Sequence, residues 1–171
     1  MMTDASDFAI SNFVLVHGKT IQFALFFGLL AAVAGAEALA PGLARPARRR
    51  RRWPANFALT ATNLALAPII PVSVLGAAFW AEASGFGLLN LVEVPVWATL
   101  MAVLTVMSLA SYVTHRLSHE AAILWRLHRV HHSDTHLDVS TTVRMHPLEL
   151  IVAGALQASA VAVFGLAPWA V

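Results

Sequence analysis

Residues 95–119 read PVWATLMAVLTVMSLASYVTHRLSH, and this stretch decides the fold. An apolar run begins at Val94 and Pro95 and continues to about Tyr112. Crossing the hydrocarbon core of a bilayer takes about 20 mostly apolar residues, and Pro95 stands where the first turn of a helix tolerates it. The run leads into His115 and His119, spaced i and i+4. On a helix such a pair shares one face, with β-carbons about 5–6 Å apart. The stretch therefore reads as a membrane helix with two imidazoles at its foot.

Three more apolar runs surround it. The first covers residues 21–40, with Glu37 near its end and Pro41 and Gly42 to stop it. The second covers residues 56–80, and Pro68 and Pro71 predict a kink or break within it. Residues 81–93 form a short linker, and a fourth run, residues 150–171, follows Pro147. Hydrophobic residues make up 58% of the chain and charged residues 12%, against about 45–50% and about 25% in soluble domains. The shift points to lipid as the main solvent. The expected fold is an all-α integral membrane helical bundle of about four apolar helices, with a histidine-rich helical segment on one face. A β-barrel would need alternating segments of about 10 residues, and these runs are longer and rich in Ala, Leu and Met.

Charge gives the topology. Six of the eleven basic residues lie between Arg45 and Arg52, and most of the others between His115 and Arg144. The Arg run reads as a solvated loop whose position favours the cytoplasmic side and can hold anionic headgroups. The linker at 81–93 has no basic residue, which places it on the far side and returns the histidine segment to the cytoplasmic side. A multi-pass membrane protein is expected. Asp4 and Asp7, the lack of a basic leader and an apolar run of about 20 residues exclude a signal peptide. Two basic patches do not make the extended basic surface of a nucleic-acid binder. Trp53 and Trp125 are read as interfacial anchors, and so is the isolated His17.

Seven of the eight histidines fall between positions 115 and 146. His128, His131 and His132 follow the first pair at i, i+3 and i+4, and fan over about 100° of a helix. Thirteen residues separate His115 from His128, which turns the second group to nearly the opposite side of one straight helix. A bend between Glu120 and Trp125 is required, although no Gly or Pro marks it. Five imidazoles in two helical boxes predict a metal site on His115, His119, His128, His131 and His132, with His136 and His146 as weaker candidates. The chain has no cysteine, so thiolate ligands and Fe–S clusters are excluded. Imidazole suits Zn, Fe, Cu and Ni, and spacing does not choose among them. No separate catalytic residue stands out.

The two boxes resemble those of the fatty acid hydroxylase / sterol desaturase superfamily, in its bacterial sterol desaturase-like branch. His115-x-x-x-His119 looks like the first box and His128-x-x-His131-His132 like the second. The context agrees: Leu124-Trp125-Arg126-Leu127 before the second box, Ser133-Asp134 after it, then Asp138 to Thr142 and Arg144-Met145-His146-Pro147-Leu148-Glu149. The core of the resemblance covers about residues 95–171.

The resemblance implies a non-haem di-iron centre on the cytoplasmic face. It also implies O2 as co-substrate, hydroxylation or desaturation of a lipid (a sterol, a fatty acyl chain or a relative) and a separate electron donor. Each ligand ring also needs a partner for its second nitrogen, and Asp134, Asp138, Glu120 and Glu149 are the available carboxylates.

Departures from the pattern are specific. Ser111 stands where many members have Asp, and Glu120-Ala121-Ala122 replaces a Pro-containing turn. The family's late histidine boxes are not found before Val171. Two irons with about four or five ligands each would take roughly eight to ten histidines. Residues 1–171 are therefore expected to form a single membrane domain that is the N-terminal portion of a longer hydroxylase-type domain. The alternatives are a catalytically incomplete remnant holding one ion such as zinc, a carotenoid hydroxylase-like enzyme, and a bis-His haem protein.

Overall fold

The computed structural model describes residues 5–40, 49–69, 73–134 and 136–171. Among them are seven α-helices and no strand: α1 (Ala5–Leu39), α2 (Arg49–Leu66), α3 (Val74–Ser84), α4 (Val96–Glu120), α5 (Ala122–His128), α6 (Val139–Thr142) and α7 (Pro147–Phe164). Four stretches are long and apolar enough to cross a membrane: Ala9–Leu39, Arg51–Leu91, Val96–Glu120 and Pro147–Phe164. The all-α membrane reading holds.

The element bounds differ from expectation in instructive ways. Helix α1 starts some sixteen residues early, because Lys19, Gly18 and His17 interrupt an apolar count without preventing helix formation. The kink falls where Pro68 puts it. Helix α2 stops at Leu66, a 3-10 turn covers Ala67–Ile69, and Ser73 caps α3 by accepting from the Gly76 amide at 2.9 Å. Pro71, and with it Pro41, Gly42, Arg45 and Arg48, lies outside the described residues. The linker at 81–93 is shorter than expected, since α3 runs on to Ser84 and Leu88–Leu91 form a 3-10 turn. Pro147 opens α7 as its first residue, where its missing N–H costs nothing.

The chain divides into two compact units. The first comprises Met1–Thr20, Pro71–Arg116 and Ile151–Val171. Its core is apolar: Ala78 of α3, Val103 and Val106 of α4, Val161 of α7 and Leu166 just beyond it. Gly87 and Gly165 both take positive φ, and a Cβ on Gly87 would collide with the Gly165 backbone. That close approach seats the turn after α3 against the end of α7. An apolar cleft of about 180 Å³ is lined by Val106, Leu109, Ala110 and Val113 of α4 and by Leu156 and Phe164 of α7.

The second unit comprises Ile21–Ile70 and Leu117–Leu150. Its buried side chains are mostly polar: Asn56, Asn63, Ser118, His128, Ser140, Thr141 and Glu149, with Val139 the buried apolar one among the described residues. This unit holds the second histidine box.

Candidate metal centre

Helix α4 does not end at Tyr112. It continues through both histidines of the first box to Glu120, so His115 and His119 stack one turn apart on one helix. The required bend is a single residue. Ala121 leaves the helix at φ −88°, ψ 119°, while its amide still donates to the Leu117 carbonyl and its carbonyl caps Trp125, both at 2.8 Å. Both backbone groups stay satisfied and φ stays negative, so neither Gly nor Pro is needed there.

The second box is not one helix. His128 is the last residue of α5, and His131 and His132 sit on a 3-10 turn, His131–Ser133. His128 Nε2 lies 3.2 Å from His119 Nε2 and 3.1 Å from His132 Nε2. The ligand atoms of His119, His128 and His132 all lie within 4.8 Å of one another. Trp125 packs against this group, its ring 5.5 Å from that of His119 and 5.8 Å from that of His132.

His128 is 1% exposed. Its Nδ1 meets Glu149 Oε1 at 2.5 Å, and Glu149 Oε2 is buried with no hydrogen-bond partner among the described residues. With Nδ1 donating to the carboxylate, Nε2 carries one lone pair and faces two other imidazole nitrogens. One lone pair serves two N–H donors poorly, whereas one cation accepts a lone pair from every ring. For bonds of about 2.0–2.1 Å, two nitrogens on one ion sit about 2.9 Å apart at a right angle and about 3.3 Å apart at the tetrahedral angle. The observed 3.1 and 3.2 Å edges fall between these limits. The donor set fits a divalent metal that accepts imidazole.

The other histidines have different work. His131 turns Nδ1 toward the Arg144 carbonyl at 3.3 Å and stacks on His128 at 5.5 Å. His136 contributes main chain: its amide donates to Asp134 and its carbonyl accepts from Arg52. His146 Nδ1 accepts the Leu148 amide at 3.1 Å and so caps the first turn of α7.

The loop that carries the second box is held by a stripe on α2. Arg52, Asn56, Thr60 and Asn63 recur at i, i+4, i+8 and i+11 and share one helix face. Arg52 Nη1 donates to Asp134 Oδ2 at 2.9 Å and to the His136 carbonyl at 2.7 Å, and Nη2 donates to Asp138 Oδ2 at 2.6 Å. Trp53 Nε1 donates to the same Asp138 oxygen at 3.2 Å. Asn56 donates to Ser140 at 2.8 Å and accepts from Arg144 at 3.1 Å. Thr60 donates to the Val143 carbonyl at 3.0 Å, and Asn63 to the Met145 carbonyl at 3.0 Å. From α1, Glu37 accepts the Val139 amide at 2.9 Å.

Burial pushes the carboxyls of Asp134 and Asp138 up, but hydrogen bonds and the Arg52 charge outweigh it and hold both below the usual range. For Asp138 the donors are Ser140, Trp53 and Arg52. The reading of the Arg run as a solvated loop is thus corrected at its end: Arg49 to Arg52 are helical, and the Arg52 side chain is 15% exposed. Trp53 and Trp125, read as plain interfacial anchors, both touch the histidine segment. The signal for the stripe was present in the sequence as three polar residues of an apolar run, Asn56, Thr60 and Asn63, at helical spacing from the last arginine of the charge run, Arg52.

The family model described as fatty acid hydroxylase matches residues 100–171. The resemblance carried by the boxes is real. The fatty acid hydroxylase match spans most of α4, both histidine boxes, Glu149 and all of α7, while α1 and the α2 stripe precede it. Searches of curated proteins and of solved structures found no match.

Proposed function

We propose that this protein is an O2-dependent membrane oxidoreductase that hydroxylates or desaturates a lipid at an unactivated C–H bond, with non-haem iron held by His115, His119, His128 and His132. The observation that carries the reading is the convergence of three Nε2 atoms around buried His128. His115 joins them in this reading as the residue one turn before His119 on the same face of α4. Bound iron supplies the redox chemistry that an inert C–H bond demands and that no side chain here offers.

The chain's own residues do the rest. Glu149 takes the Nδ1 proton of His128 as a hydrogen bond, which leaves Nε2 free to coordinate. Trp125 packs its ring against His119 and His132 and so helps to hold the two imidazoles in place. The cleft between α4 and α7 is lined by aliphatic side chains and suits a hydrocarbon chain, and its α4 wall ends at Thr114, the residue before His115. A lipid substrate, reached from the bilayer, is consistent with that lining. A separate electron donor is what the family resemblance implies, and it belongs to this reading. The second iron of a di-iron centre would draw on His131, with His136 and His146 the weaker donors. The histidine segment lies on the cytoplasmic side of a bacterial inner membrane in this reading, as does the Arg run.

One observation favours a second reading. Imidazole nitrogens converging at this spacing suit zinc as well as iron, so a one-ion, non-catalytic zinc site is the rival. Purification in detergent, elemental analysis and an O2-consumption assay with lipid and a reductant separate the two. Iron with lipid-dependent O2 uptake supports the enzyme. One tightly held zinc per chain, with no O2 uptake after iron loading, overturns it.

A further inference from the structure

We propose that Glu149 is a positioning residue for the metal: it fixes the tautomer and orientation of His128. The inference rests on the metal-site reading above and deepens it. Four carboxylates lie in or near the histidine segment, and the structure brings Glu149 against His128. Its Oε1 lies 2.5 Å from His128 Nδ1, and both side chains are more than nine-tenths buried. Asp134 and Asp138, in contrast, are engaged by Arg52.

Three features make Glu149 suited to this task. First, it approaches the ring nitrogen opposite the one that faces His119 and His132, so the proton it holds on Nδ1 keeps Nε2 a lone-pair donor. Second, its Oε2 meets no donor among the described residues. A buried carboxylate is costly unless paired, and His128 is the hydrogen-bond partner that offsets this burial. Third, its backbone is fixed. Glu149 is the third residue of α7, its amide bonds to the His146 carbonyl at 2.9 Å, and His146 itself caps the neighbouring amide of Leu148. A carboxylate in the first turn of a helix also lies at its electropositive end. Together these hold a short acceptor at one place, with the ring of His128 turned to match.

Cobalt(II) titration of the detergent-purified protein, followed by its visible absorption, tests this. Outer partners of this kind change metal affinity by about 10–100-fold. Glu149→Ala is expected to weaken cobalt binding by that factor and to alter the band pattern. Glu149→Gln keeps an acceptor oxygen and is expected to recover most of the affinity. Circular dichroism of both variants should match the parent, and a Gln variant that is folded keeps the test open if Ala is not.

Parent-level affinity and spectrum in Glu149→Ala would overturn the positioning role and leave the metal site standing. Equal loss in Ala and Gln would also overturn it, since a retained acceptor would then not matter. A parent protein that takes up no cobalt or iron would overturn the site and the inference together.

Discussion

The two compact units of this chain are stabilised by opposite means. In the unit built on α3, α4 and α7, the buried residues are chiefly Ala78, Ala81, Val103, Val106, Val161 and Leu166. In the unit that carries the second histidine box, they are chiefly Asn56, Asn63, Ser118, His128, Ser140, Thr141 and Glu149. Between lipid-embedded helices, packing and hydrogen bonds replace the hydrophobic effect as the source of association. The first unit uses close packing of small and branched side chains. The second uses directional bonds, which can specify where a loop's atoms lie, and that is what a ligand set requires. The difference teaches that the apolar runs mark the membrane scaffold while the polar interruptions mark the candidate site.

This contrast can be broken at several points. The largest effect is expected from His128→Ala, which removes the central donor and the partner of Glu149. Elemental analysis should show metal lost, while the helical circular dichroism stays. Next comes Arg52→Ala. It leaves Asp134 and Asp138 buried without their guanidinium, and breaking a buried ion pair costs about 3–5 kcal/mol. Hydrogen exchange should show protection lost in residues 134–145 and retained at Val103 and Val161. Leu166→Ala should do the reverse: a cost of about 2–4 kcal/mol, read as a lower thermal midpoint, with metal content at the parent level.

Asn63→Ala removes one rung of the α2 stripe and should cost about 1 kcal/mol, measured by the same exchange experiment. Acid sharpens the comparison least drastically. Asp138 is held below its ordinary value of 3.8 by Ser140, Trp53 and Arg52 against the opposing effect of burial. Its contribution is fully present above that value and fades as pH falls through the depressed one. Pepsin should therefore cut within 134–145 more readily at pH 2 than at pH 4, while cleavage within α4 does not change.

Much of this architecture was legible in the sequence, for stated reasons. The apolar runs gave the helices because length and composition suffice for a membrane span. The i, i+4 spacing of His115 and His119 gave the first box, because α4 is continuous through it. The need for a bend followed from the angle between the boxes, and Ala121 supplies it without a Gly or Pro.

The second box was harder. A 3-10 turn at His131–Ser133 replaces the assumed helix, and it points His131 Nδ1 at the Arg144 carbonyl while His128 and His132 meet His119. Glu149 was named as one of four carboxylates, but its pairing with His128 joins residues 21 apart in the chain, and spacing carries no information at that range. The α2 stripe was missed because Arg52 was counted with the charge run and Asn56, Thr60 and Asn63 with an apolar span. Read together at helical spacing, they form a single face.

The rungs of that stripe differ in what they grip. Those from Arg52 and Asn56 end largely on side chains, Asp134, Asp138 and Ser140, whereas those from Thr60 and Asn63 end on the carbonyls of Val143 and Met145. A carbonyl is the same whatever residue bears it. Substitution at positions 143 and 145 therefore leaves these two rungs intact, while drift at 134, 138 or 140 removes a partner outright. The loop carries its own map of replaceable and irreplaceable positions: 134, 138, 140 and 144 meet the stripe through side chains, whereas 136, 143 and 145 meet it through carbonyls.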